Sequence, residues 1–335
     1  MSEKTNTGDA FVLILMAVLI AAWGVAGSLD VSKRTQPGFS TNENHEIVTL
    51  KPNGSAEQIN MQVGDRIIGI DGNRIEDTST IVRLPRVPEG ERRSFTVTRG
   101  EQTIRYRPVF TSLNDREMAR EQLSIIVGFA FLLIPLVACI TRPAPATRVL
   151  ALMGLGLSLH FFDGPYLVSY DVHAVALTVV QLFVLLGLAA MIHFLHLFPL
   201  KRSLIQKPWG KKLIYFPVLL IWFADAWRIL FTPPASSVPA QLAKGFSETG
   251  MIAYFMLGLI LVVANYISAQ GAERSRLALN QMLLASLVAS VPIVTALLAG
   301  SFLPELILPW QNYYFVLLAL VPMAWSYSAS RIPRR

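Results

Sequence analysis

The sequence predicts an α-helical polytopic membrane protein of about eight transmembrane helices, with one small β-rich domain inserted after the first. Three observations carry that prediction. Hydrophobic residues make up 53% of the 335 and charged residues only 15%, below the charged share usual in soluble domains. Apolar runs recur along the chain, close to the roughly 20 residues an α-helix needs to cross the hydrocarbon core. Between the first run, Ala10–Gly27, and the others stands Asn53–Ile75, NGSAEQINMQVGDRIIGIDGNRI, polar, Gly-punctuated and strand-like. Such a chain threads the membrane, folds a domain beyond it and re-enters. The layout fits a receptor-like or scaffolding protein and argues against a soluble enzyme.

The spans are predicted at 10–28, 123–141, 148–168, 173–199, 213–231, 250–269, 277–300 and 312–330. The third is the weakest, because Ser158, His160 and Asp163 interrupt its outer half. The first run competes with a signal-peptide reading. Glu3 and Asp9 accompany Lys4, however, and the AGS after Trp23 is a weak cleavage pattern, so an uncleaved anchor is expected. The organisation is then 1–28, an N-terminus and first helix; 29–121, an extramembrane domain; and 122–335, a seven-helix bundle.

Loop charge sets the orientation. Arg142 and Arg148 flank one loop; Lys201, Arg202, Lys207, Lys211 and Lys212 crowd another; Arg274 and Arg276 sit in a third; Arg331, Arg334 and Arg335 end the sequence. Of the intervening loops, one holds Asp163, Asp171 and His173, another Lys244, and the third no basic residue. With eight spans the alternation is self-consistent: both termini are cytoplasmic and 29–121 lies outside. The net charge of +7 is thus mostly a topology signal, and no nucleic-acid partner is expected. The single cysteine, Cys139, lies within an apolar run, which excludes an intramolecular disulfide and a cysteine metal cluster.

Within the domain, His45–Pro52 is β-rich, and Pro52-Asn53-Gly54 supplies a turn. Ser55–Ile59 is predicted as a short helix with Ser55 as its cap. Val63-Gly64-Asp65 turns into a strand at Arg66–Ile70, and Asp71-Gly72 is a hairpin signal leading to Arg74–Ile75. Thr78–Leu84 is predicted as a second helix, ended by Pro85 and Pro88. Ser94–Arg99 and Thr103–Pro108 form a final hairpin through Arg99-Gly100-Glu101. Asp65 is expected to be structural, bonding turn amides.

The stretch from Asn53 to Ile75 resembles the core of a PDZ domain, whose pattern is S-P-A-x-x-A-G-L-x-x-G-D-x-I-x-x-I-N-G. The resemblance covers roughly 37–108, with Ile59-Asn60-Met61 replacing the usual Ala-Gly-Leu. It implies a peptide groove in which an extended ligand adds as a strand to a sheet edge. The matching carboxylate loop is Pro37-Gly38-Phe39-Ser40, with Gly38 letting amides converge, Phe39 walling a pocket, and Ile81 and Leu84 lining the groove from the second helix. A plain turn after the anchor and a core role for Ile81 and Leu84 are the competing readings. The implied partner is an extracytoplasmic peptide or protein C-terminus.

The bundle carries a second resemblance. His193-Phe194-Leu195-His196-Leu197-Phe198-Pro199 is similar to the H-F-x-x-x-F-P signature of multi-helix sensor regions in bacterial membrane histidine kinases. SRLALNQMLLASLVASVP from Ser275 to Pro292 resembles their R-x-x-x-x-x-x-L-L-x-G-x-x-x-x-x-x-P helix. LVPMAWSYSASR from Leu320 to Arg331 resembles their I-P-x-x-x-x-Y-A-x-x-R exit. Some of these kinases, including the competence pheromone receptor type, insert a PDZ-like domain after the first helix. The resemblance implies a bacterial cytoplasmic membrane, a sensory role, a cytoplasmic signalling partner and compatibility with a homodimer. In that family a dimerisation helix, a phospho-accepting His and an ATP-binding domain follow the exit. None follows Arg331 here, so the expectation is either a sensor region without its output or a stand-alone relative.

No enzyme is expected. An intramembrane metalloprotease needs H-E-x-x-H, which is missing, and Gly156-Leu157-Ser158 stands too close to His160 for a rhomboid-like site. His193 and His196 share a helix face and are metal-compatible, but lack an evident third ligand, so helix-end packing is expected, with no metal and no cofactor. Intramembrane polar groups are functional candidates by default. Asp225 and Arg228, three residues apart, are expected to pair, either holding the bundle or lining a cavity. Asn265, Asn280 and Gln281 fall near cytoplasmic helix ends, and Trp222, Trp227, Trp310 and Trp325 read as interface or packing aromatics. A sensor is the leading reading, an envelope scaffold the second, and a transporter or membrane enzyme the third.

Overall fold

The computed structural model describes residues 7–42, 45–75, 86–167, 169–199, 202–231, 237–302 and 313–333. The predicted helix at Thr78–Leu84, with Ile81 and Leu84, and also Trp310 lie outside the described residues. The first apolar run forms α1, Thr7–Val31. Eight short strands and one helical turn follow: β1 Thr35–Gln36, β2 Phe39–Thr41, β3 Ile47–Leu50, α2 Ser55–Gln58, β4 Arg66–Ile70, β5 Asn73–Arg74, β6 Phe95–Arg99, β7 Gln102–Tyr106 and β8 Thr111–Ser112. All pairings are antiparallel. The main sheet runs β5-β4-β6-β7; β2 pairs with β3, and β1 with β8, which brings the two ends of the domain together.

Turn chemistry fixes these registers. Ile70 faces Asn73 across Asp71-Gly72, both with positive φ (51° and 85°), the conformation in which Asp-Gly links two right-twisted strands. Arg99 faces Gln102 across Gly100-Glu101. Alternate residues of the sheet turn inward, where Ile47, Ala56, Met61, Ile67, Ile70, Phe95, Val97 and Phe110 form a core. Asn60 stands where the PDZ pattern has glycine, at φ 61°, a left-handed conformation that Asn tolerates better than most residues, so the departure leaves the turn intact. Met61 keeps the apolar role and is buried. One prediction is corrected. Ser55 does not cap α2: the N-cap is Gly54, and Ser55 Oγ instead donates to Val109 O (2.6 Å) and Pro37 O (3.3 Å).

The remaining helices are α3 Asp115–Thr141, α4 Pro145–Phe161, α5 Tyr170–Leu197, the turn α6 Ser203–Gln206, α7 Gly210–Phe231, α8 Val238–Ser268, the short α9 Gly271–Arg276, α10 Leu279–Phe302 and α11 Leu320–Ser330, the last entered through a 3-10 turn at Tyr314–Ala319. The protein is mostly helical, and five helices among the described residues are long and apolar enough to span a membrane: Ala10–Val31, Asp115–Thr141, Asp171–Leu197, Gly210–Phe231 and Val238–Ser268. Leu279–Pro292 and Tyr314–Ser330 are shorter apolar helices. The weak third span proves to be a 17-residue helix that ends at Phe161, short of the predicted 168. Beyond it the chain turns extended at Phe162, and Gly164 lies flush on the Trp23 ring.

Short α4 is the most enclosed helix, packed between α3 and α5. Gly156 and Gly187 make its crossing with α5 close: a side-chain carbon on Gly156 would fall 2.3 Å from Phe183 O and 2.7 Å from Gly187 Cα. Small residues at such crossings let backbones approach where water drives no apolar burial. A larger core joins α5, α7, α8, α10 and α11 around Phe194, Leu195, Phe198, Met282 and Trp325.

Candidate functional site

Asp65 is placed by the turn that precedes β4. Its carboxylate accepts from Gln62 N (2.9 Å), Arg99 Nε (2.6 Å) and Arg99 Nη2 (2.7 Å), with only 1% of the residue exposed. Arg99 Nη2 also donates to Asn60 O (2.9 Å) and Tyr106 Oη (3.0 Å). Burial pushes the carboxyl pKa up, but the Arg99 hydrogen bonds, the Gln62 amide and the guanidinium charge outweigh it and hold the group below its usual value. The same pairing raises the Arg99 pKa. The turn-amide bond was legible in the sequence; Arg99 as ionic partner was not, since 34 residues separate the two.

The predicted carboxylate loop precedes β2. Gly38 has φ 85° and is buried; a side-chain carbon there would meet Ser55 N at 3.5 Å and Ala56 N at 3.6 Å. Its carbonyl accepts from Lys51 N at 2.9 Å, which extends the β2–β3 ladder to the loop. Phe39 is half-buried, its ring edge-on to Phe95 with centroids 5.3 Å apart, so it faces the core more than an open pocket. Ser40 is exposed, and its hydroxyl meets that of Thr49 across the pair. Among the described residues β2 pairs with β3 alone.

The domain is bound to one end of the bundle by polar contacts that the sequence did not announce. Arg86 Nη1 reaches Asp30 Oδ2 (2.5 Å), its guanidinium lies 4.4 Å over the Tyr166 ring, and its amide donates to Tyr166 Oη (3.1 Å). Asp30 also accepts from Tyr166 N at 3.1 Å. Arg34 Nη1 meets Asp163 Oδ2 (2.6 Å) and Glu121 Oε2 (3.2 Å). Gln36 Nε2 donates to Glu117 Oε2 at 2.6 Å, and Lys51 Nζ lies 3.4 Å from the same oxygen.

The opposite end gathers the basic loops. Buried Asn265 on α8 donates to Leu195 O (2.7 Å) and Phe198 O (2.9 Å) and accepts from Arg202 Nε (3.1 Å) and Nη2 (2.8 Å). It thereby holds the exit of the HFLHLFP segment. Arg274, read from sequence as a topology signal, also caps α8 by donating to Ala269 O (2.9 Å) and Ile267 O (3.0 Å). His193 Nδ1 lies 3.1 Å from Tyr215 Oη, and His196 Nδ1 lies 2.9 Å from Ile192 O, so the two buried rings engage different partners. Trp325 is a packing residue, stacked on Phe194 and donating to Ser286 Oγ at 2.9 Å. Asn280 and Gln281 are exposed.

Asp225 and Arg228 are only loosely paired, 4.0 Å apart. The closer partners of buried Asp225 come from neighbouring helices: Ser247 Oγ on α8 (2.6 Å) and Gln181 Nε2 on α5 (3.1 Å). Trp222 Nε1 adds a bond to Thr178 O (2.9 Å). The result is a cross-brace of α5, α7 and α8.

Comparison with curated proteins and with solved structures finds no match. Residues 46–99 match the PDZ domain family. The match takes in β3 to β6 and the positions of Ile81 and Leu84, whereas Gly38, Phe39 and Ser40 fall just before it. The chain therefore carries a PDZ domain at 46–99, joined to a set of membrane-span-like helices.

Proposed function

We propose that this protein is a membrane sensory module whose PDZ domain takes an extracytoplasmic peptide and relays its presence through the helices to a cytoplasmic partner. The observation that carries the reading is the edge of β2 that no strand pairs with among the described residues, beside the buried Gly38 turn, in a domain tied by several polar contacts to the bundle. A strand added there finds a ladder ready to extend, and a domain held at several points transmits strain that a tethered one would not. The gathering of Arg202, Arg274, Arg276 and Arg331 at the bundle end opposite the domain supports an outside domain and a cytoplasmic basic face. Eight spans remain the arrangement that best accounts for the alternating loop charge.

The test is a crosslinking pull-down of the full-length chain from native membranes, with and without the 29–121 domain. A cytoplasmic kinase or phosphatase recovered in both cases, and responsive to added peptide only when the domain is present, is the expected result. An envelope protein recovered only with the domain would replace the sensor by a scaffold. Recovery of neither would overturn both.

A further inference from the structure

Glu117 stands in the first turn of α3 and serves two masters. Its Oε2 accepts from Asn114 N at 2.8 Å, closing a capping box with the Asn114 side chain. The same oxygen receives Gln36 Nε2 and Lys51 Nζ from the domain. Both domain-side partners flank one loop: Gln36 ends β1 two residues before Gly38, and Lys51 bonds its amide to the Gly38 carbonyl. Opposed residues of an antiparallel pair lie within about 5.5 Å at Cα. Lys51 and Gly38 therefore face each other across the β2–β3 pair, on the side of β2 away from the edge a peptide would extend, and the Lys51 ammonium is turned to a carboxylate of the bundle, 3.4 Å from Glu117 Oε2.

We infer that Lys51 reads the ligand's terminal carboxylate and that Glu117 is its resting counter-ion, so ligand and α3 compete for one ammonium. This deepens the peptide-binding reading and rests on it. Lys51 and Glu117 side chains are 29% and 36% exposed, and ion pairs so exposed hold weakly, so a second carboxylate can displace Glu117. Each exchange removes one of the domain's two holds on Glu117, leaving Gln36 there and Arg34 on Glu121 further along α3. The coupling is reciprocal: whatever weakens the Lys51–Glu117 pair strengthens ligand binding.

The test uses the full-length chain in lipid nanodiscs. A displayed library of peptides with free C-terminal carboxylates supplies the probe; the tightest binder is then made as free acid and as C-terminal amide. Glu117→Gln removes the charge but keeps the capping box, in which Gln serves as Glu does. An unchanged melting temperature confirms that α3 is intact. Glu117→Gln should tighten the acid about two- to five-fold and leave the amide unchanged. Lys51→Met should reduce the acid to the level of the amide. In the parent chain the acid, and not the amide, should raise hydrogen exchange at 114–120, an effect missing in Glu117→Gln. If the parent binds the acid but Glu117→Gln leaves its affinity unchanged or weaker, the counter-ion role is overturned and the peptide reading stands. If no library member binds the parent, the peptide reading falls, and this inference with it.

Discussion

Asp65 in the domain and Asn265 in the bundle solve the same problem with different chemistry. Each is a small buried polar side chain that gathers a turn and an arginine from a distant segment. Asp65 accepts one backbone amide and two guanidinium nitrogens; Asn265 donates to two carbonyls and accepts two guanidinium nitrogens. The groups to be satisfied decide the residue. A turn before a strand leaves N–H groups over, which want an acceptor, and a carboxylate is the strongest available. A helix end leaves C=O groups over, which want donors, and only the amide can donate to them while accepting from Arg202. The domain side is set in an ion pair at the edge of water, while the bundle uses a neutral group where a lone charge would be costly.

The largest expected effect breaks the domain half of this comparison. Asp65→Ala leaves the Gln62 amide and the Arg99 guanidinium without their acceptor and should cost about 3 kcal/mol. Hydrogen exchange of β4 and β6 in the full-length chain should then accelerate roughly a hundredfold. Arg99→Met should act in the same direction. Unchanged exchange in both would mean the pair is ornamental.

Next in size is Asn265→Asp, which keeps shape and Arg202 but cannot donate to Leu195 O and Phe198 O. A loss of about 2 kcal/mol is expected, read as a lower melting temperature in detergent. A variant as stable as the parent would show that the Arg202 contact, and not the two carbonyls, is what Asn265 serves. The comparison would then collapse into two arginine sites.

Acid gives a smaller, graded separation. The folded-state pKa of Asp65 is depressed, so its contribution is present above the unfolded value and is lost as pH falls through the folded one. Protection factors in β4 and β6, corrected for the intrinsic pH dependence of amide exchange, should hold between pH 7 and about 5 and fall below about 4, the ordinary range of an aspartate. Asp65→Asn should flatten that response. Asn265 does not titrate, so the segment at 195–199 that it binds should hold its protection over the same interval. Equal acid sensitivity of the two segments would defeat the distinction.

What the sequence disclosed divides along the same line. Local signals were strong: Asp71-Gly72 and Arg99-Gly100-Glu101 placed two hairpins, and the NGSAEQINMQVGDRIIGIDG pattern found the PDZ core, because turn geometry depends on a few adjacent residues. Apolar length found the long helices but overran α4, where the chain leaves the helix at Phe162, whose ring packs among the helices beside Phe129, and Asp163 turns to Arg34 of the domain. Contacts between segments far apart were invisible. Arg202 with Asn265, Asp225 with Gln181 and Ser247, and Arg86 with Asp30 and Tyr166 depend on how helices and domain are set against each other. In the same way Ser55 carried a capping signal, yet tertiary packing claimed its hydroxyl for Val109 and Pro37. Residue type showed that these side chains needed partners, without saying which.

The smallest effect is expected at the seam, where neither solution is used in full. Tyr166 accepts from Arg86 N and lies beneath its guanidinium, while its own amide donates to Asp30. Tyr166→Phe keeps the ring and the amide and removes only the hydroxyl acceptor, so a loss of about 1 kcal/mol is expected. It should appear as faster exchange at 86–87 and 162–167, with β4, β6 and 195–199 unchanged. Asp30→Asn weakens the Arg86 ion pair, and the double variant measures whether the two contacts act together. A non-additive pair would make the seam a single clamp, able to pass motion from domain to helices. Additive effects would leave it a set of separate surface contacts, and the relay would have to run through the Glu117 and Arg34 contacts.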